Sequence, residues 1–466
     1  MSSPSTGSRL PTLPRAVPRA AAVTALTVAV AAALAVYGNR HQYFDLKIYV
    51  SAMRWWAQGR PLYDYAQADP VQGDLYFTYP PFAALLLWPF GQLPLDVTIA
   101  VFTWGTAAAL AVTTYWLVAP VADRRGLPRW YAAGLAVPLA FLIEPSRETI
   151  TFGQLNLLLV VLVLADLLFA IPRGWRLAGA GIGLATAIKL VPGIFIVYLL
   201  VTRRWRAALV ACAAAVVATL FAAAVAPRES WQFWTESLHS TTRVGRTDYT
   251  GNQSLLGLLG RLVAPAEADR LVWLVLVGAV AVLGLWGAAG AAAAGDEVAG
   301  LALAGLVGSL VSPITWPHHI YWFIPAFVVL ADAALPPPGV ALRDPPGVAP
   351  GLTARAAAPG RLQRGALLVL LVAGYAVCAY GVVSFVIWDV RPVPTDSVDE
   401  FLMRNALVLL SLVLVVAVPI RRAAAGAAGY RTVTATVADA SPKSGVRSVI
   451  LIDHTPAAGR VTSPKA

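Results

Sequence analysis

The sequence predicts an all-α membrane protein with about 11 to 13 transmembrane or re-entrant helices, and three observations support this fold class. Of the 466 residues, 58% are hydrophobic and only 13% are charged, whereas about 25% of residues are charged in typical soluble domains. The mean hydropathy is +0.68. The apolar residues are gathered in runs, several of which approach the roughly 20 residues that a helix needs to span a bilayer.

The apolar runs follow one another through most of the chain. They lie near residues 21–37, 80–93, 96–119, 131–143, 155–171, 177–188, 190–201, 207–226, 271–294, 298–312, 319–335, 365–388 and 404–420. The run at 80–93 is short for a full span. It is a candidate for a re-entrant segment, which is tolerated where protein or a cavity shields the backbone.

The connections between these runs differ in charge, and the difference predicts a topology. Arginine-rich connections at 123–129, 172–176 and 203–206 are assigned to the cytoplasm, together with the basic, proline-rich segment 336–364. The opposite connections form the outer loops, with interfacial helices on that face. These loops are 38–79, 144–154, 227–270, 313–318 and 389–403.

The apolar runs and the charges of their connections divide the chain into three regions. Residues 1–20 and 421–466 are predicted to be disordered cytoplasmic tails, and residues 21–420 form the integral membrane domain, with 336–364 as a flexible cytoplasmic loop. The net charge of +11 resides largely in short connections and in the tails. This placement favours anchoring to a lipid bilayer over binding of nucleic acid.

The stretch GNRHQYFDLKIYVSAMRWWAQGRPLYDY, directly after the first apolar run, contains the candidate catalytic residue. Asp45, Tyr49, Met53 and Trp56 recur three or four residues apart, so a helix here places the acid and these bulky side chains on one face. A carboxylate partly shielded from water at the membrane surface accepts a proton from an incoming hydroxyl. The alternative is that Asp45 is a solvated loop residue.

Further polar residues in the predicted outer connections are candidates for binding a phosphate or a sugar. Arginine makes charge-assisted contacts with phosphate oxygens, and side-chain amides hydrogen-bond to hydroxyl groups. These candidates are Tyr49, Arg147, Gln154, Asn156, Arg243, Arg246, Asn252 and Gln253. The alternative for each charged member of this set is an ordinary solvated loop position.

Lys189 and two adjacent histidines complete the candidate site. Lys189 is placed at the outer membrane boundary, where its ammonium would bind a phosphate leaving group, because ionisable residues at such depth are costly and often functional. A lysine that snorkels to the interface is the alternative. His318 and His319 point about 100 degrees apart on a helix, which favours substrate hydrogen bonding, or a partner for Asp45, over metal binding.

Several motifs are absent from the sequence, and their absence limits the possible chemistry. The chain has no GxxxxGKS phosphate loop, no GxGxxG after a strand and no Asp-x-Asp. Cys212 and Cys378 lie inside apolar runs, which argues against a disulfide framework or a zinc site. We therefore expect no cofactor and no metal, and a donor carried by a lipid.

Six stretches also resemble, in order, the pattern of glycosyltransferase family 87, polyprenyl-phosphate-mannose-dependent mannosyltransferases of actinobacteria. They are DLKIYVSAMRWWAQGRPLYDY, LYFTYPPFAALLLWPF, GQLNLLL, IKLVPG, GNQSLLG and SPITWPHH. The resemblance implies a GT-C membrane fold, a lipid-linked mannose donor and an active site on the extracytoplasmic face of the cell membrane. It also implies that Asp45 is the general base, and that His318 and His319 lie near the donor phosphate or the acceptor.

The expected reaction is inverting transfer of mannose from polyprenyl-phosphate-mannose to a hydroxyl of a mannosylated glycolipid, forming an α-1,2 linkage. A phosphatidylinositol mannoside, lipomannan and a mannoprotein all stay open as acceptors. A flippase or transporter of lipid-linked sugars is one rival, although alternating access requires a site near the midplane of the membrane. A polysaccharide ligase is the other.

Overall fold

The computed structural model describes most of the membrane domain. The described residues are 16–69, 73–240, 243, 245–336, 360–381, 395 and 397–421. The predicted disorder of residues 1–15 and of the tail beyond residue 421 lies outside them. So do most of the predicted flexible loop 336–364 and most of the outer loop 389–403.

Within this part of the chain, eighteen α-helices account for nearly all regular structure. They are Ala16–Tyr37 (α1), Phe44–Ala57 (α2), Pro81–Gln92 (α3), Leu95–Arg124 (α4), Arg129–Leu142 (α5), Glu144–Phe152 (α6), Asn156–Ala165 (α7), Ala180–Ile188 (α8), Ile194–Val201 (α9), Trp205–Val225 (α10), Pro227–Thr235 (α11), Leu255–Val263 (α12), Arg270–Ala293 (α13), Glu297–Val311 (α14), Phe323–Ala334 (α15), Arg361–Tyr380 (α16), Val398–Arg404 (α17) and Ala406–Ala417 (α18).

A few short elements complete the secondary structure. A π-helix, Asp166–Ala170, extends α7, and 3-10 helices lie at Leu62–Asp64, Val191–Gly193, Ser237–His239 and Pro317–His319. Strands β1 (Ala66–Asp69) and β2 (Gly73–Tyr76) form an antiparallel hairpin in which Ala66 is opposite Tyr76. This hairpin follows α2 in the first predicted outer connection.

The described helices confirm the prediction of an all-α, multi-pass membrane protein. Helices α1, α4, α10, α13 and α16 are long and apolar enough to cross a membrane. Two bent pairs, α6 with α7 and α17 with α18, are also long and apolar enough if each pair is taken as one span. Four further segments are apolar but shorter: α5, α14, α15 and Val191–Val201, which contains α9. Among the described residues, length and composition thus give five candidate spans, or seven if each bent pair is one span.

Helix α2 folds against the bundle because its apolar side chains recur at helical spacing. Leu46, Tyr49, Val50 and Met53 are buried, and they pack the helix against α3 and α6. Asp45 lies in the first turn of α2, where the helix dipole stabilises a negative charge. The predicted shared face of Asp45 and its aromatic neighbours is thus present.

A sharp turn between α6 and α7 brings polar residues to Asp45. The two helices are bent by 120° relative to each other, and Gly153 ends α6 at φ +73°. A Cβ atom at this position would lie 2.6 Å from Leu46 Cβ, so only glycine permits both the turn and the close approach of α2. The residue that follows, Gln154, consequently faces Asp45.

The arginine-rich connection 123–129 contributes to a group of ion pairs at one end of the bundle. We call Arg124, Arg125, Asp296, Asp332 and Arg421 the ion-pair cluster. Its ion pairs include Arg125 Nε with Asp332 Oδ1 at 2.8 Å and Arg421 Nη2 with Asp296 Oδ1 at 2.5 Å. Of the connections predicted to be cytoplasmic, 123–129 contributes Arg124 and Arg125 to this cluster. Arg204, in connection 203–206, pairs with Glu297, the residue after Asp296.

Candidate active site

The polar residues of several connections surround a cavity of about 380 Å³. Its walls come from α2, the β1–β2 hairpin, the turn after α6, the break between α8 and α9, and the segment before α15. Helix α14 begins beside Asp296 in the ion-pair cluster and ends at Val311, next to this segment. At about 1.5 Å rise per residue, its fifteen residues separate the cluster from the cavity.

Asp45 lines the cavity and keeps one-fifth of its side chain accessible. The exposed fraction is 19%, and the Gln154 side-chain amide donates a hydrogen bond to Asp45 Oδ2. His318 Nε2 lies 4.0 Å from the same oxygen. Burial raises the pKa of Asp45 above its ordinary value, although His318 and Gln154 act in the opposite direction. An acid with a raised pKa is a stronger base when ionised.

A chain of hydroxyl groups fixes the orientation of Gln154. The Tyr79 hydroxyl donates to Gln154 Oε1 at 2.9 Å. The hydroxyl groups of Tyr49 and Tyr79 are 2.7 Å apart, both buried. Because Tyr79 contacts the amide oxygen, the amide nitrogen of Gln154 is directed at Asp45. Tyr49 therefore acts on the acid through two intermediate side chains.

Lys189 occupies the break between α8 and α9 and lines the same cavity. Its ammonium donates to Asn156 Oδ1 at 2.8 Å and to the Tyr79 hydroxyl at 3.3 Å. His319 Nε2 is 3.0 Å from Lys189 Nζ. Tyr79 thus contacts both the lysine and the glutamine that holds Asp45, which joins the acid and the cation in one network.

The histidines lie in the 3-10 helix that precedes α15. The Asn156 side-chain amide donates to the His318 carbonyl at 3.0 Å, and the Trp316 backbone N–H donates to His319 Nδ1 at 3.3 Å. The His318 side chain is 4% exposed. The rings of His318 and His319 are nearly perpendicular, with an interplanar angle of 86°. His318 consequently faces Asp45, while His319 faces Lys189.

Comparison with known proteins identifies the family. The model of glycosyltransferase family 87 matches residues 77–313, just over half of the chain. The chain is 34% identical over 313 residues to the polyprenol-phosphate-mannose-dependent alpha-(1-2)-phosphatidylinositol mannoside mannosyltransferase of Mycobacterium tuberculosis, covering 63% of this chain and 71% of that relative. The chain belongs to glycosyltransferase family 87. This confirms the resemblance found in the sequence, and the chain is a glycosyltransferase.

Other similar proteins include a second mannosyltransferase and a solved structure. The family 87 chain is 34% identical over 305 residues to the polyprenol-phosphate-mannose-dependent alpha-(1-2)-phosphatidylinositol pentamannoside mannosyltransferase of Mycolicibacterium smegmatis, covering 64% of this chain and 71% of the relative. The structure is that of ArnT from Cupriavidus metallidurans bound to undecaprenyl phosphate, with 17% identity, a TM-score of 0.29, and coverage of 86% of this chain and 75% of that chain.

The structure brings eight of the twelve predicted site residues of this family 87 chain to the cavity or to its wall. These residues are Asp45, Tyr49, Gln154, Asn156, Lys189, Arg243, His318 and His319. The Arg243 guanidinium lies 4.3 Å from the centre of the Tyr76 ring, at the hairpin. Within the described residues, no group of three or more His, Cys, Asp or Glu side chains is arranged to hold a metal ion.

The other four predicted residues make their contacts within the fold. Arg147 donates to the carbonyl of Ala379 at 2.6 Å, and Arg246 pairs with Asp248 at 2.7 Å. Asn252 accepts the Thr315 backbone N–H at 2.9 Å. Gln253 donates to the carbonyls of Thr250 and Arg404 at 2.7 and 2.8 Å. Asn252 and Gln253 therefore hold the loop before α12 against neighbouring segments.

The residues that line the cavity but were not assigned to the site from the sequence include His41, Tyr79 and Glu148. A usable signal existed for Tyr79, because the Tyr-Pro-Pro step forces an extended residue directly before a helix. Glu148 lies four residues before Phe152, on the same face of α6, and is 2% exposed. The pairing of His41 with Glu148 depends on the tertiary fold and left no signal in the sequence.

Proposed function

We propose that this family 87 chain transfers mannose from polyprenyl-phosphate-mannose to a hydroxyl of a mannosylated glycolipid on the outer side of the cell membrane. The transfer inverts the anomeric carbon and proceeds without a metal ion. The proposal rests on one hydrogen-bonded network in the cavity. In this network Gln154 contacts Asp45, Tyr79 contacts Gln154, and Lys189 contacts Tyr79. The names of the two mannosyltransferase relatives support mannose as the sugar and a phosphatidylinositol mannoside as the acceptor.

Asp45 supplies the general base in this mechanism. The Asp45 carboxylate faces the cavity, and the hydrogen bond from Gln154 fixes the orientation of the carboxylate. A single base suffices when a β-mannosyl phosphate becomes an α-mannoside, because direct displacement inverts the anomeric carbon. Gln154 orients the carboxylate without neutralising it, whereas a salt bridge to arginine would lower its basicity.

Lys189 supplies positive charge for the leaving phosphate. Its ammonium is held by Asn156, Tyr79 and His319. A second, smaller cavity of about 50 Å³ shares Lys189 and His319 with the first. The remainder of this second cavity is mostly apolar and includes the side chains of Leu159, Val163, Ile194 and Phe195. A cation beside an apolar cavity matches a ligand that carries a phosphate on a hydrocarbon chain.

Asp45 and the leaving phosphate account for the proton and the electron pair that move in the reaction. Asp45 removes the proton as the acceptor oxygen forms a bond to the anomeric carbon of mannose. The bond from that carbon to the phosphate oxygen breaks, and polyprenyl phosphate departs with the electron pair. Preorganised positive charge at the phosphate, and negative charge beside the oxocarbenium-like sugar, stabilise the transition state.

The outer location rests on the positions of charge along the chain. The ion-pair cluster includes Arg124 and Arg125 of connection 123–129, which the positive-inside rule assigns to the cytoplasm, and Arg421 at the start of the predicted cytoplasmic tail. Helix α15 begins beside the histidines and ends at Ala334, next to Asp332 of the cluster. These positions support a cavity on the opposite, extracytoplasmic side.

A product assay tests the proposed function. Purified protein in lipid nanodiscs is incubated with radiolabelled polyprenyl-phosphate-mannose and a phosphatidylinositol mannoside, and the lipids are analysed for a new α-linked mannose. A parallel sample contains EDTA. The proposal predicts an extended glycolipid in both samples. A flippase moves the donor and forms no glycosidic bond, and a ligase requires a preassembled polysaccharide, so absence of the extended glycolipid would overturn the proposal.

A further inference from the structure

A buried carboxylate beside the candidate base has no part in the mechanism above. Glu148 lies on α6, and its side chain is 2% exposed. Its two oxygens face two imidazoles: His41 Nε2 is 3.7 Å from Oε1, and His318 Nδ1 is 3.8 Å from Oε2. Glu148 thus lies between one histidine near the cavity rim and one histidine beside Asp45.

His318 connects Glu148 to Asp45. Its Nδ1 faces the glutamate, and its Nε2 faces Asp45 Oδ2 at 4.0 Å. Within the described residues, neither ring nitrogen of this buried imidazole has a hydrogen-bond partner. A buried polar group without a partner is costly, so one that persists calls for a functional explanation.

We propose that Glu148 is a positioning residue that keeps a proton on His318 Nδ1, so that Nε2 is free to receive the proton that Asp45 takes from the acceptor. This inference rests on the proposed function, since it requires a proton to reach Asp45. The contact of 3.8 Å becomes a hydrogen bond when side-chain rotation shortens it by roughly 1 Å. A carboxylate that orients a histidine and stabilises its charged form is an established catalytic arrangement.

The proton is accounted for at each step. It leaves the acceptor oxygen for Asp45 Oδ2 and then moves to His318 Nε2, while Nδ1 retains its own proton facing Glu148. The imidazolium that results is stabilised by the adjacent carboxylate. After the glycolipid departs, the Nε2 proton is released to water in the cavity. Asp45 and His318 then both return to their starting states.

Other ionisable groups around His318 set the sign of the expected effect. Lys189 disfavours protonation of His318, whereas Asp45 and Glu148 favour it. His319 packs against the His318 ring at 4.7 Å between centroids, and His41 shares the Glu148 carboxylate. Burial is the largest influence and lowers the pKa of His318. Removing the Glu148 charge therefore makes the Asp45–His318 pair hold a proton less strongly.

The pH dependence of Glu148→Gln tests this role. The turnover number falls by about 10-fold to 100-fold, and the acidic limb of the rate profile moves to lower pH by about one unit. The KM for the acceptor stays near that of the wild type, because Glu148 acts on the proton and not on the glycolipid. Glu148→Asp retains the charge, and its limb stays at the wild-type position.

A matched control separates this role from simple support of the fold. Glu144→Gln removes another buried carboxylate one turn earlier on α6, and we expect no shift of the acidic limb. If Glu148→Gln also leaves the limb unmoved, the proposal for Glu148 is overturned and the proposed function stands. If wild-type protein forms no glycoside in the product assay, the proposed function itself fails, and the two failures are thereby distinguished.

Discussion

Charged side chains have different partners at the two ends of this membrane domain, the ion-pair cluster and the cavity. At the ion-pair cluster, Asp332 contacts Arg124, Arg125 and Arg421 at 2.8 to 2.9 Å. At the cavity, Asp45 is held by the neutral amide of Gln154, and the hydrogen bonds donated by the Lys189 ammonium go to neutral oxygens. The arginines and aspartates of the ion-pair cluster therefore neutralise each other. At the cavity, the hydrogen bonds to Asp45 and from Lys189 involve neutral groups, which leaves both charges able to interact with a ligand.

The proposed roles of the two ends explain this difference. Partly buried ion pairs offset the cost of removing arginine and aspartate from water, and loss of one partner leaves the other uncompensated. A catalytic base or a phosphate-binding cation that was paired in this way would have to break its pair before it could act. The contrast therefore predicts that substitutions at the two ends have separable effects on rate and on stability.

The largest effect is expected from Asp45→Asn. The asparagine keeps the shape of the side chain but accepts no proton, so transfer falls by about 10²-fold to 10⁴-fold. The rate of mannose transfer per mole of folded protein measures the change. Because the amide is neutral and Asp45 is partly exposed at 19%, the melting temperature should not fall. A rate within twofold of the wild type would remove Asp45 from the mechanism.

A somewhat smaller effect is expected from Lys189→Met. Methionine replaces the stem of the lysine but supplies no charge at the leaving phosphate, so the turnover number falls by about 10²-fold to 10³-fold. Lys189→Arg serves as the control, since it keeps the charge and should retain more activity. Steady-state kinetics with the donor varied would decide the matter, and equal rates for the two variants would mean that the charge has no role.

The smallest effect on rate is expected at the opposite end. Asp332→Asn leaves Arg125 and Arg421 without their shared carboxylate, and these side chains are only 12% and 20% exposed. We expect a loss of about 3 kcal/mol in the free energy of unfolding, with the rate per mole of folded protein unchanged. Thermal denaturation alongside the transfer assay gives both quantities. A large loss of rate in the folded variant would abolish the contrast between the ends.

The sequence was most informative where a pattern is local. Apolar runs predicted the membrane helices, and helical spacing placed Asp45, Tyr49 and Met53 on one face of α2. The polar residues that flank helix breaks, Gln154 and Lys189, were expected in one site, and both line the same cavity. Each of these features depends on the residues within one or two turns of a helix.

The rest depends on contacts between distant parts of the chain. Arg147 has the composition of a phosphate ligand, yet its guanidinium donates to the carbonyl of Ala379, 232 residues away. Gln253 likewise contacts the Arg404 carbonyl, 151 residues away. Hydropathy and local spacing contain no information on such pairings. For the same reason the sequence did not reveal that Glu148 lies between two histidines.

The side of the membrane at which each end lies tests the proposed outer active site most directly. In a variant lacking Cys212 and Cys378, cysteine is placed either at exposed Arg60, in the loop after α2, or at exposed Arg206, near the start of α10. A membrane-impermeant maleimide is then applied to intact spheroplasts. The proposed topology predicts labelling at position 60 in intact cells and at position 206 only after permeabilisation, and the reverse pattern would contradict it.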